Sequence, residues 1–571
     1  MGHKEFITKC AKANIGTNNS FNLYAEMVVG VQHVGATAVD FKNHKREILA
    51  YIKGRDAQLV IEKCLNRKEI LPQFYFEYAV DEKERLSRVF WTDEYGRKSF
   101  DLFGDAMAFD ATYKTNIYGN FKVYNLVFVP FTGVDNHKKS TTFAWGLIAN
   151  EDIESYTWLL ANFKLAMGRE PICTTTDQDA SMKVAVARVF PTTRHRYCMW
   201  HIMSKVSEKA GSELAKKDGF RRRLNGIVWN ENASIEEFET DWRAFTQEHG
   251  LDEHRWFSLL FEQRASWIPA YFRDVYMGGL LRTTSRAESQ NHVFRSCTSK
   301  HSNLMELLDK IEGAIGKQRH KQTELNAACD GYAPTLKTPL NLERQAAEAY
   351  TINIFYEVQR EICGSCFACK VGECTDMGGL VQYMVEDGSD RRQMVELDIN
   401  QGTIECTCRM YTRIGLLCRH MYAALKHAGI DQVPTEYIKT RWTRNARIKI
   451  GANVETARDE ESAHEEAKVR KTFLNCICLA KGRTDRLQQL AQILNEKEKS
   501  FINEDTMQKD LVEQSNPPQE FYDRGGPSTT TIHCPKVAKN KGSGKRLKSV
   551  KEIAVEKTAK QRARMRDVWQ K

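Results

Sequence analysis

The sequence has no apolar run long enough to cross a lipid bilayer. Its longest one, Val123–Val134, has twelve residues, whereas a membrane-spanning helix needs about 20. The run therefore predicts a buried strand. The first residues, Met1–Phe6, lack the apolar segment of a secretory leader, and Phe6 departs from the myristoylation pattern. We therefore expect no membrane partner.

The chain also has almost no net charge over most of its length. The formal charge is +10, and Lys536–Lys571 contributes all of it, with thirteen Lys or Arg against three acids. The nearly neutral body does not favour non-specific nucleic-acid binding. The tail does, and its clusters Lys545–Lys548 and Arg562–Arg566 also fit nuclear import. We predict a disordered basic tail over residues 536–571, a nuclear protein and DNA as a partner; the alternative is a solvated end without a receptor.

Cysteine is plentiful, with sixteen in the chain, but no leader precedes it. This combination argues against a disulfide framework and favours reduced thiols and metal ligands inside a cell.

Four of the metal-ligand residues follow a regular spacing. Cys406-Thr407-Cys408 is followed, after nine residues, by Cys418-Arg419-His420. Two cysteines that are two apart on a strand share one face, and a helical run, Met421–Ala428, comes next. The preceding short apolar runs predict three strands: Val381–Glu386, Gln393–Ile399 and Thr403–Cys408. Three thiolates and one imidazole form a shell that structural zinc prefers. The alternative is four unrelated residues in a strand-rich segment.

This pattern resembles the SWIM zinc finger, in which Cys-x-Cys is followed by a spacer and Cys-x-His. The resemblance implies a small ββα-type module, residues 381–430, that docks on DNA or protein. Because Cys406, Cys408, Cys418 and His420 fill all four positions, its zinc is expected to be structural rather than catalytic.

Residues 101–202 carry a different order of elements. Strands are predicted over Met107–Tyr113, Lys122–Pro130, Thr141–Ala149, Pro171–Thr176 and Arg194–His201, the last including its exit. Helices are predicted over Ser155–Met167 and Ala180–Phe190. Three strands, helix, strand, helix, strand is the order of an RNase H-like fold. We therefore predict an α/β (α+β) protein built on such a core.

Two acids lie on strands that are neighbours in the predicted core. Asp110 lies within the first strand, where Asp is disfavoured, and Asp177 ends the fourth. Glu288 opens a later helix and could reach the same edge. Three carboxylates suit Mg²⁺ or Mn²⁺, and paired ions can activate a nucleophile and steady the leaving oxygen of a phosphodiester.

Each acid has a second interpretation. Ser285-x-x-Glu288 also fits a helix capping box. Asp177 or Asp179 could cap the helix that starts near Ala180. Asp110 could be a buried acid with satisfied hydrogen bonds.

The core resembles the Mutator-like transposase domain, and in particular the plant FAR-RED IMPAIRED RESPONSE family of transposase-derived transcription factors. The resemblance rests on five segments, in the family's order: Gly104–Asn116, Thr176–Ala180, Arg194–His201, Ser285–Asn291 and Tyr437–Thr443. It covers roughly residues 30–450. It implies that Asp110, Asp177 and Glu288 are the ancestral catalytic triad, and that Cys198 and His201 are its Cys-x-x-His motif, as accessory or structural residues.

Two features depart from the family. Its members begin with a zinc-binding, DNA-reading finger, and no such Cys/His set precedes Asp110, so we expect a truncated member or a finger-less branch. The second feature is a run of four cysteines, Cys363, Cys366, Cys369 and Cys374. They could bind a metal, but free thiols are favoured.

The remaining segments complete the predicted organisation. Four tryptophans of the predicted helical insertion, Trp229, Trp242, Trp256 and Trp267, are expected in its core rather than as a base-stacking platform. The predicted segments are a helical region 1–100 ending in strand-like text at Phe74–Trp91, the core 101–202, a helical insertion 203–282, a helical region 283–360, the finger 381–430, a helical and linker region 431–535, and the tail 536–571.

Two functional hypotheses remain open. In the first, the protein is a nuclear, transposase-derived regulator of transcription that binds DNA through a zinc-containing module, alone or as a homo- or heterodimer with related proteins. In the second, it is an active Mg²⁺-dependent transposase. Retention of the three acids favours the second hypothesis and the family resemblance favours the first, to which we give preference.

Overall fold

The computed structural model confirms a mixed α/β protein. It describes residues 2–12, 15–109, 126–211, 213–214, 219–278, 303–331, 334–388, 392–446, 483–512 and 533–534, and the single residues 472, 476 and 480. In these ranges no helix is long and apolar enough to span a membrane.

A seven-stranded sheet forms the centre of the first half. Its strands are β1 (Tyr75–Val80), β2 (Leu86–Thr92), β3 (Ala106–Phe109), β4 (Val127–Val134), β5 (Ser140–Ile148), β6 (Cys173–Thr176) and β7 (Arg194–Tyr197). Their order across the sheet is β1-β2-β5-β4-β3-β6-β7.

The sheet has the predicted RNase H-like topology. Strands β3, β4 and β5 form an antiparallel meander, and β6 and β7 continue it in parallel with β3. Strand β4 is buried along nearly its whole length, as expected for a central strand covered on both faces. Two strand ends differ from the prediction: β4 continues past Pro130 to Val134, and β7 stops at Tyr197 because a helix starts at Met199. Residues 110–113 and 122–125 of the predicted strands lie outside the described residues.

Helices α5 (Glu94–Phe103), α6 (Ile153–Met167) and α7 (Ala180–Val189) share one apolar cluster with this sheet. Helix α6 begins where the Asp152 side chain accepts a hydrogen bond from the Ser155 N–H, and it ends at Gly168, which has φ 74°. Its Phe163 stacks on Phe131 of β4 with ring centroids 4.7 Å apart. The apolar face of α6 thus closes the core on one side of the sheet.

The region before residue 101 is not only helical. Its helices are α1 (His3–Lys12), α2 (Thr17–Met27), α3 (Ala38–Ile52) and α4 (Asp56–Ile70). The following segment, which the sequence predicts to be strand-like, forms the β1–β2 hairpin, and β2 pairs with β5. The core sheet therefore starts near residue 75 rather than near 101.

The insertion after β7 is helical. It contains α8 (Met199–Ser204), α9 (Val206–Lys209), α10 (Phe220–Val228), α11 (Ile235–Glu248) and α12 (Arg255–Glu262). Trp242 and Trp267 are fully buried in its core, and Trp229 and Trp256 pack partly buried against it. The tryptophans are core residues, as predicted.

The second half is built from helices and a smaller sheet. Its helices are α13 (Leu304–Gly331), α14 (Asn341–Ala349), α15 (Ile352–Phe367), α16 (Met410–Ile414), α17 (Arg419–His427) and α18 (Thr484–Val512). Its strands are β8 (Lys370–Asp376), β9 (Leu380–Glu386), β10 (Arg392–Asp398) and β11 (Thr403–Cys406). They form an antiparallel sheet in the order β11-β10-β9-β8.

Strand β8 enlarges the predicted finger. The sequence predicts three strands and one helix there, whereas the structure adds β8 and the short helix α16 and packs α17 on α15 in one apolar cluster. The finger is therefore part of a larger folded unit rather than a free-standing ββα module. The predicted basic tail lies outside the described residues.

Candidate metal centre and candidate active site

The four residues of the predicted zinc pattern lie together. The Sγ atoms of Cys406, Cys408 and Cys418 and a ring nitrogen of His420 all lie within 4.8 Å of one another. The Sγ of Cys406 is 3.8 Å from Nδ1 of His420. In the described part of the chain this is the group of three or more His, Cys, Asp or Glu that could hold a metal ion.

Local backbone geometry produces this convergence. Cys406 ends β11, where it pairs with Val395 of β10. The chain then turns through Arg409, whose φ of 57° is unusual for a residue with a side chain and whose N–H bonds the Cys406 carbonyl. Cys418 stands directly before α17, so its sulfur and the ring of His420 project from the first turn of that helix.

The three thiols differ in their pKa values. Hydrogen bonds from Cys406 and Cys418 lower the pKa of Cys408. The hydrogen bond to Cys408 raises the pKa of Cys406 to about 12. Burial, followed by the hydrogen bonds to the other two sulfurs, raises the pKa of Cys418 well above its ordinary value. A divalent cation would allow all three to ionise.

His420 presents its second nitrogen to an acid. Nε2 lies 3.3 Å from Oδ2 of Asp387, which follows β9. Burial works to lower the pKa of His420, but the Cys408 sulfur and the Asp387 carboxylate raise it overall. A carboxylate in this position holds the proton on Nε2 and leaves the lone pair of Nδ1 for a metal.

This donor set fits zinc. Tetrahedral zinc with sulfur about 2.3 Å away places its ligand atoms roughly 3.8 Å apart, which is close to the spacing seen here. Cys406, Cys418 and His420 are buried. Four protein ligands leave no position for substrate, so the metal would have a structural role.

The other cluster of cysteines is more dispersed. Cys363 and Cys366 lie on α15, Cys369 follows it, and Cys374 lies exposed on β8. All four are free thiols, and burial raises the pKa of Cys369 to about 11.

Asp177, the candidate catalytic acid that lies within the described residues, follows the carboxyl end of β6. Its Oδ1 accepts a hydrogen bond of 3.0 Å from the Asp179 N–H. The helix cap belongs to Asp179, whose Oδ1 accepts from the N–H of Met182 at 2.9 Å. The capping interpretation is therefore correct for Asp179, and Asp177 does not cap α7.

Asp110 and Glu288 lie outside the described residues, so their role in the triad stays a prediction. Strand β3 can be followed to Phe109, and it pairs with β6 in parallel, with Ala108 opposite Thr175. Asp110 and Asp177 each come two residues after this pair in the sequence.

The Cys-x-x-His motif lies beside the same edge. The N–H of Cys198 donates a hydrogen bond of 2.6 Å to the carbonyl of Thr176, the last residue of β6. Cys198 and His201 are both buried and flank the start of α8. The motif thus lies where the chain passes from the sheet to the helical insertion, and its accessory or structural role stays a prediction.

A junction that the sequence does not predict joins the core to the finger. Arg441 is 6% exposed and donates hydrogen bonds to Asp105 Oδ2 (3.0 Å) and to the carbonyls of Val134 (2.8 Å) and Gly278 (3.1 Å). The fully buried Trp442 donates from Nε1 to the carbonyl of Ile414, between the two ligand pairs, at 2.8 Å.

Further hydrogen bonds cross this junction. Tyr437 Oη accepts from the N–H of Ile404 at 2.6 Å, and Arg273 donates to the carbonyl of Thr407 at 2.9 Å. The only sequence signal for the junction is that Tyr437–Thr443 is one of the segments that carry the family resemblance.

Comparisons with known proteins agree with this arrangement. The model of the MULE transposase domain matches residues 106–205, and that of the SWIM zinc finger matches residues 391–429.

Three relatives from Arabidopsis thaliana illustrate the similarity. FAR1-RELATED SEQUENCE 5 is 30% identical over 450 residues, 78% of this chain and 56% of the relative. FAR-RED IMPAIRED RESPONSE 1 is 29% identical over 426 residues, 74% of this chain and 50% of the relative. FAR1-RELATED SEQUENCE 9 is 27% identical over 405 residues, 69% of this chain and 72% of the relative. The chain thus spans about half the length of the first two.

Proposed function

Since the chain belongs to the family of FAR-RED IMPAIRED RESPONSE 1 and the FAR1-related sequences, we propose that it is a nuclear regulator of transcription that binds DNA and keeps the fold of a Mutator-like transposase. The observation that carries the proposal is the union, in one chain, of an RNase H-like sheet and a SWIM finger with a complete ligand set. The zinc would hold the finger together and take no part in chemistry.

The proposal gives the transposase core the role of a scaffold. Arg441 and Trp442 fix the finger to the sheet edge opposite Asp177. A finger held in this way offers a rigid surface for a partner. DNA, and related proteins as homo- or heterodimer partners, are the partners we propose.

One observation favours the second candidate function, an active Mg²⁺-dependent transposase. Asp177 keeps its carboxylate at the end of β6 although the neighbouring Asp179 supplies the helix cap. With Asp110 and Glu288, it would supply the hard oxygen ligands that Mg²⁺ prefers. Bound metal would activate the nucleophile and stabilise the leaving oxygen during strand cleavage.

A pair of matched substitutions separates the two functions. Asp177→Asn is nearly isosteric and removes the charge that a metal ligand needs, whereas Asp179→Asn changes the same group two residues away and keeps a side chain that can cap. We expect reporter transcription to be equal in the wild type and both variants, and we expect no Mg²⁺-dependent nicking of DNA by the wild type. Nicking that is lost in Asp177→Asn and kept in Asp179→Asn would establish the transposase instead.

Deleting residues 536–571 tests the nuclear location. The deletion removes ten net positive charges, and we expect less nuclear accumulation of a fluorescent fusion. An unchanged distribution of the fusion between nucleus and cytoplasm would show that the tail does not direct nuclear import.

A further inference from the structure

A basic groove lies on the folded body of the protein, and neither Asp177 nor the four residues of the zinc pattern line it. Its volume is about 640 Å³, and it is formed by the turn between β4 and β5, the segment before α14 and one face of α15. Four cationic side chains line it, with one carboxylate: Lys138, Lys139, Lys337, Arg360 and Glu357. A body that is nearly neutral overall therefore concentrates positive charge at one place.

Three of the four cations are available to a ligand. Lys138 forms an ion pair with Glu357. Lys139, Lys337 and Arg360 are exposed, and in the described ranges none of them has a carboxylate within ion-pair distance. Glu343 is buried, and its carboxylate already accepts hydrogen bonds from the N–H groups of residues 337 and 338 and from Gln359.

The turn that carries two of these cations is held in a fixed shape. Oδ1 of the buried Asp135 accepts hydrogen bonds from the N–H groups of His137 (2.9 Å) and Lys139 (2.7 Å). Lys138 has a φ of 55°, a left-handed conformation. The carbonyl of His137 accepts a further bond of 3.0 Å from Asn353 on α15. The backbone that carries Lys138 and Lys139 is thus fixed before any ligand arrives, which lowers the entropic cost of ordering this turn on binding.

The groove is separate from the candidate active site. Strand β4 runs antiparallel to β3, and β3 runs parallel to β6, so the turn after β4 lies at the sheet edge opposite the end of β6. Asp177 lies at that other end. A ligand in the groove would therefore not occupy the carboxylate edge.

We propose that this groove binds the phosphate backbone of duplex DNA. The inference rests on the proposed function, DNA binding, and names a surface for it on the folded body. Exposed lysine and arginine side chains on an open surface suit a row of phosphates. Lys139, Lys337 and Arg360, which have no ion-pair partner among the described residues, can neutralise up to three. Such contacts are independent of base sequence.

Salt dependence of DNA binding tests the proposal in the full-length chain. Binding of a fluorescent random-sequence duplex is measured by anisotropy over a series of salt concentrations for the wild type and for Lys139→Gln/Lys337→Gln/Arg360→Gln. Each lost phosphate contact reduces the slope of log K against log salt by about 0.9, so we expect a reduction of up to about 2.7. The single variants should each reduce it by up to about 0.9, which keeps the test valid if the triple variant folds poorly.

A matched control removes the same charge elsewhere. Arg221, Arg222 and Arg255 are exposed on α10 and α12 of the helical insertion, and changing all three to Gln should leave the slope near that of the wild type. Equal slopes for the wild type and the groove variant, or an equal reduction in the groove and control variants, would overturn the groove while leaving DNA binding intact. Absence of salt-dependent binding by the wild type would instead refute the DNA binding on which the inference rests.

Discussion

His420 has a different neighbour at each of its two ring nitrogens. Its Nδ1 lies beside the Cys406 sulfur, and its Nε2 faces the carboxylate of Asp387 at 3.3 Å. The acid fixes which nitrogen carries the proton, and therefore which one can bind the metal.

Asp387→Asn should weaken zinc binding while leaving all four ligands in place. Loss of a carboxylate that orients a histidine ligand typically reduces metal affinity about 10- to 100-fold, and we expect the lower part of that range. Competition with a chromophoric chelator measures the affinity.

The control for this prediction is Asp398→Asn. Asp398 lies at the end of β10, and its Oδ1 accepts the N–H groups of Asn400 and Gln401 rather than facing the metal group. Equal zinc affinities in the two variants would show that Asp387 has no part in holding His420.

Arg441 is the residue on which the core–finger junction depends. Its guanidinium bonds one carboxylate and two backbone carbonyls, all far apart in the sequence. A lysine supplies a charge for Asp105 but not the planar fork that reaches both carbonyls. A buried carbonyl left unpaired costs about 1–3 kcal/mol.

We therefore expect Arg441→Lys to lower the apparent free energy of unfolding by about 2 kcal/mol. Replacement by Met, which leaves Asp105 without a partner, should cost about 3–5 kcal/mol. Urea unfolding followed by tryptophan fluorescence measures both. Arg243→Lys is the control, because Arg243 is exposed and pairs with Glu239 on the helix surface, where such pairs contribute less than about 1 kcal/mol. A loss in Arg441→Lys no larger than in Arg243→Lys would contradict the role of the junction.

At the scale of elements, the turn between β4 and β5 combines a buried acid with exposed bases. Burial raises the pKa of Asp135 to about 6, although the two backbone N–H groups, Lys139 and Arg441 work to lower it. Because the folded-state pKa is above the ordinary value of 3.8, the charged form is the less stable one in the folded protein. Stability from this group is thus greatest below about pH 4 and falls as the pH rises through about 6.

Asp135→Asn should remove this pH dependence. The amide oxygen can still accept from both N–H groups, and no charge is buried. A shift of about 2 pKa units corresponds to roughly 3 kcal/mol, so the stability of the variant relative to the wild type should be higher at pH 8 than at pH 4.5 by an amount of this order. Unfolding midpoints at the two pH values measure the difference. If the difference in stability between the variant and the wild type does not change with pH, burial does not raise the free energy of the ionised Asp135 side chain.

Elements with local signals could be predicted from the sequence. The zinc ligands lie within fifteen residues of one another, so spacing, strand alternation and one helix start suffice to bring them together. The five core strands and two helices also follow from local periodicity. The errors of a few residues are at the end of β4, which runs past the prediction, and at the end of β7, where apolar residues continue into a helix.

Contacts between distant segments could not be predicted in this way. Three examples are the pairing of β2 with β5, the addition of β8 to the finger and the bonds of Arg441 to residues 105, 134 and 278. In each case nothing in the sequence of one segment indicates which distant segment it contacts. The basic groove could not be predicted for the same reason, since its lysines come from segments about 200 residues apart. Net charge is a sum over the chain and does not show which charged residues lie together in the fold.

At the scale of the whole molecule, the finger and the transposase core are connected through backbone and side chains. Residues between the ligand pairs have partners in two other segments: the carbonyl of Arg413 accepts from the N–H of Met277 in the helical insertion, and the carbonyl of Ile414 accepts from Trp442 in the segment after the finger. Arg273 adds a bond to Thr407, between the first two cysteines. A metal bound by the four ligands would therefore stabilise the junction as well as the finger's own sheet.

Removing zinc should for this reason loosen more than the finger. Hydrogen exchange is measured on the full chain with zinc, after treatment with a chelator, and on Cys408→Ser. We expect chelation to speed exchange in β11, α16 and α17 and also in residues 272–278 and 437–444, because their partners lie between the ligands. The β1–β2–β5 side of the large sheet, which has its own apolar cluster with α4 and α13, should keep its protection and serves as the internal control. Cys408→Ser should show the same pattern without chelator and no further change with it. Faster exchange confined to residues 391–429 would mean that the finger unfolds independently of the core. The contacts of the junction would then not couple the stability of the two parts.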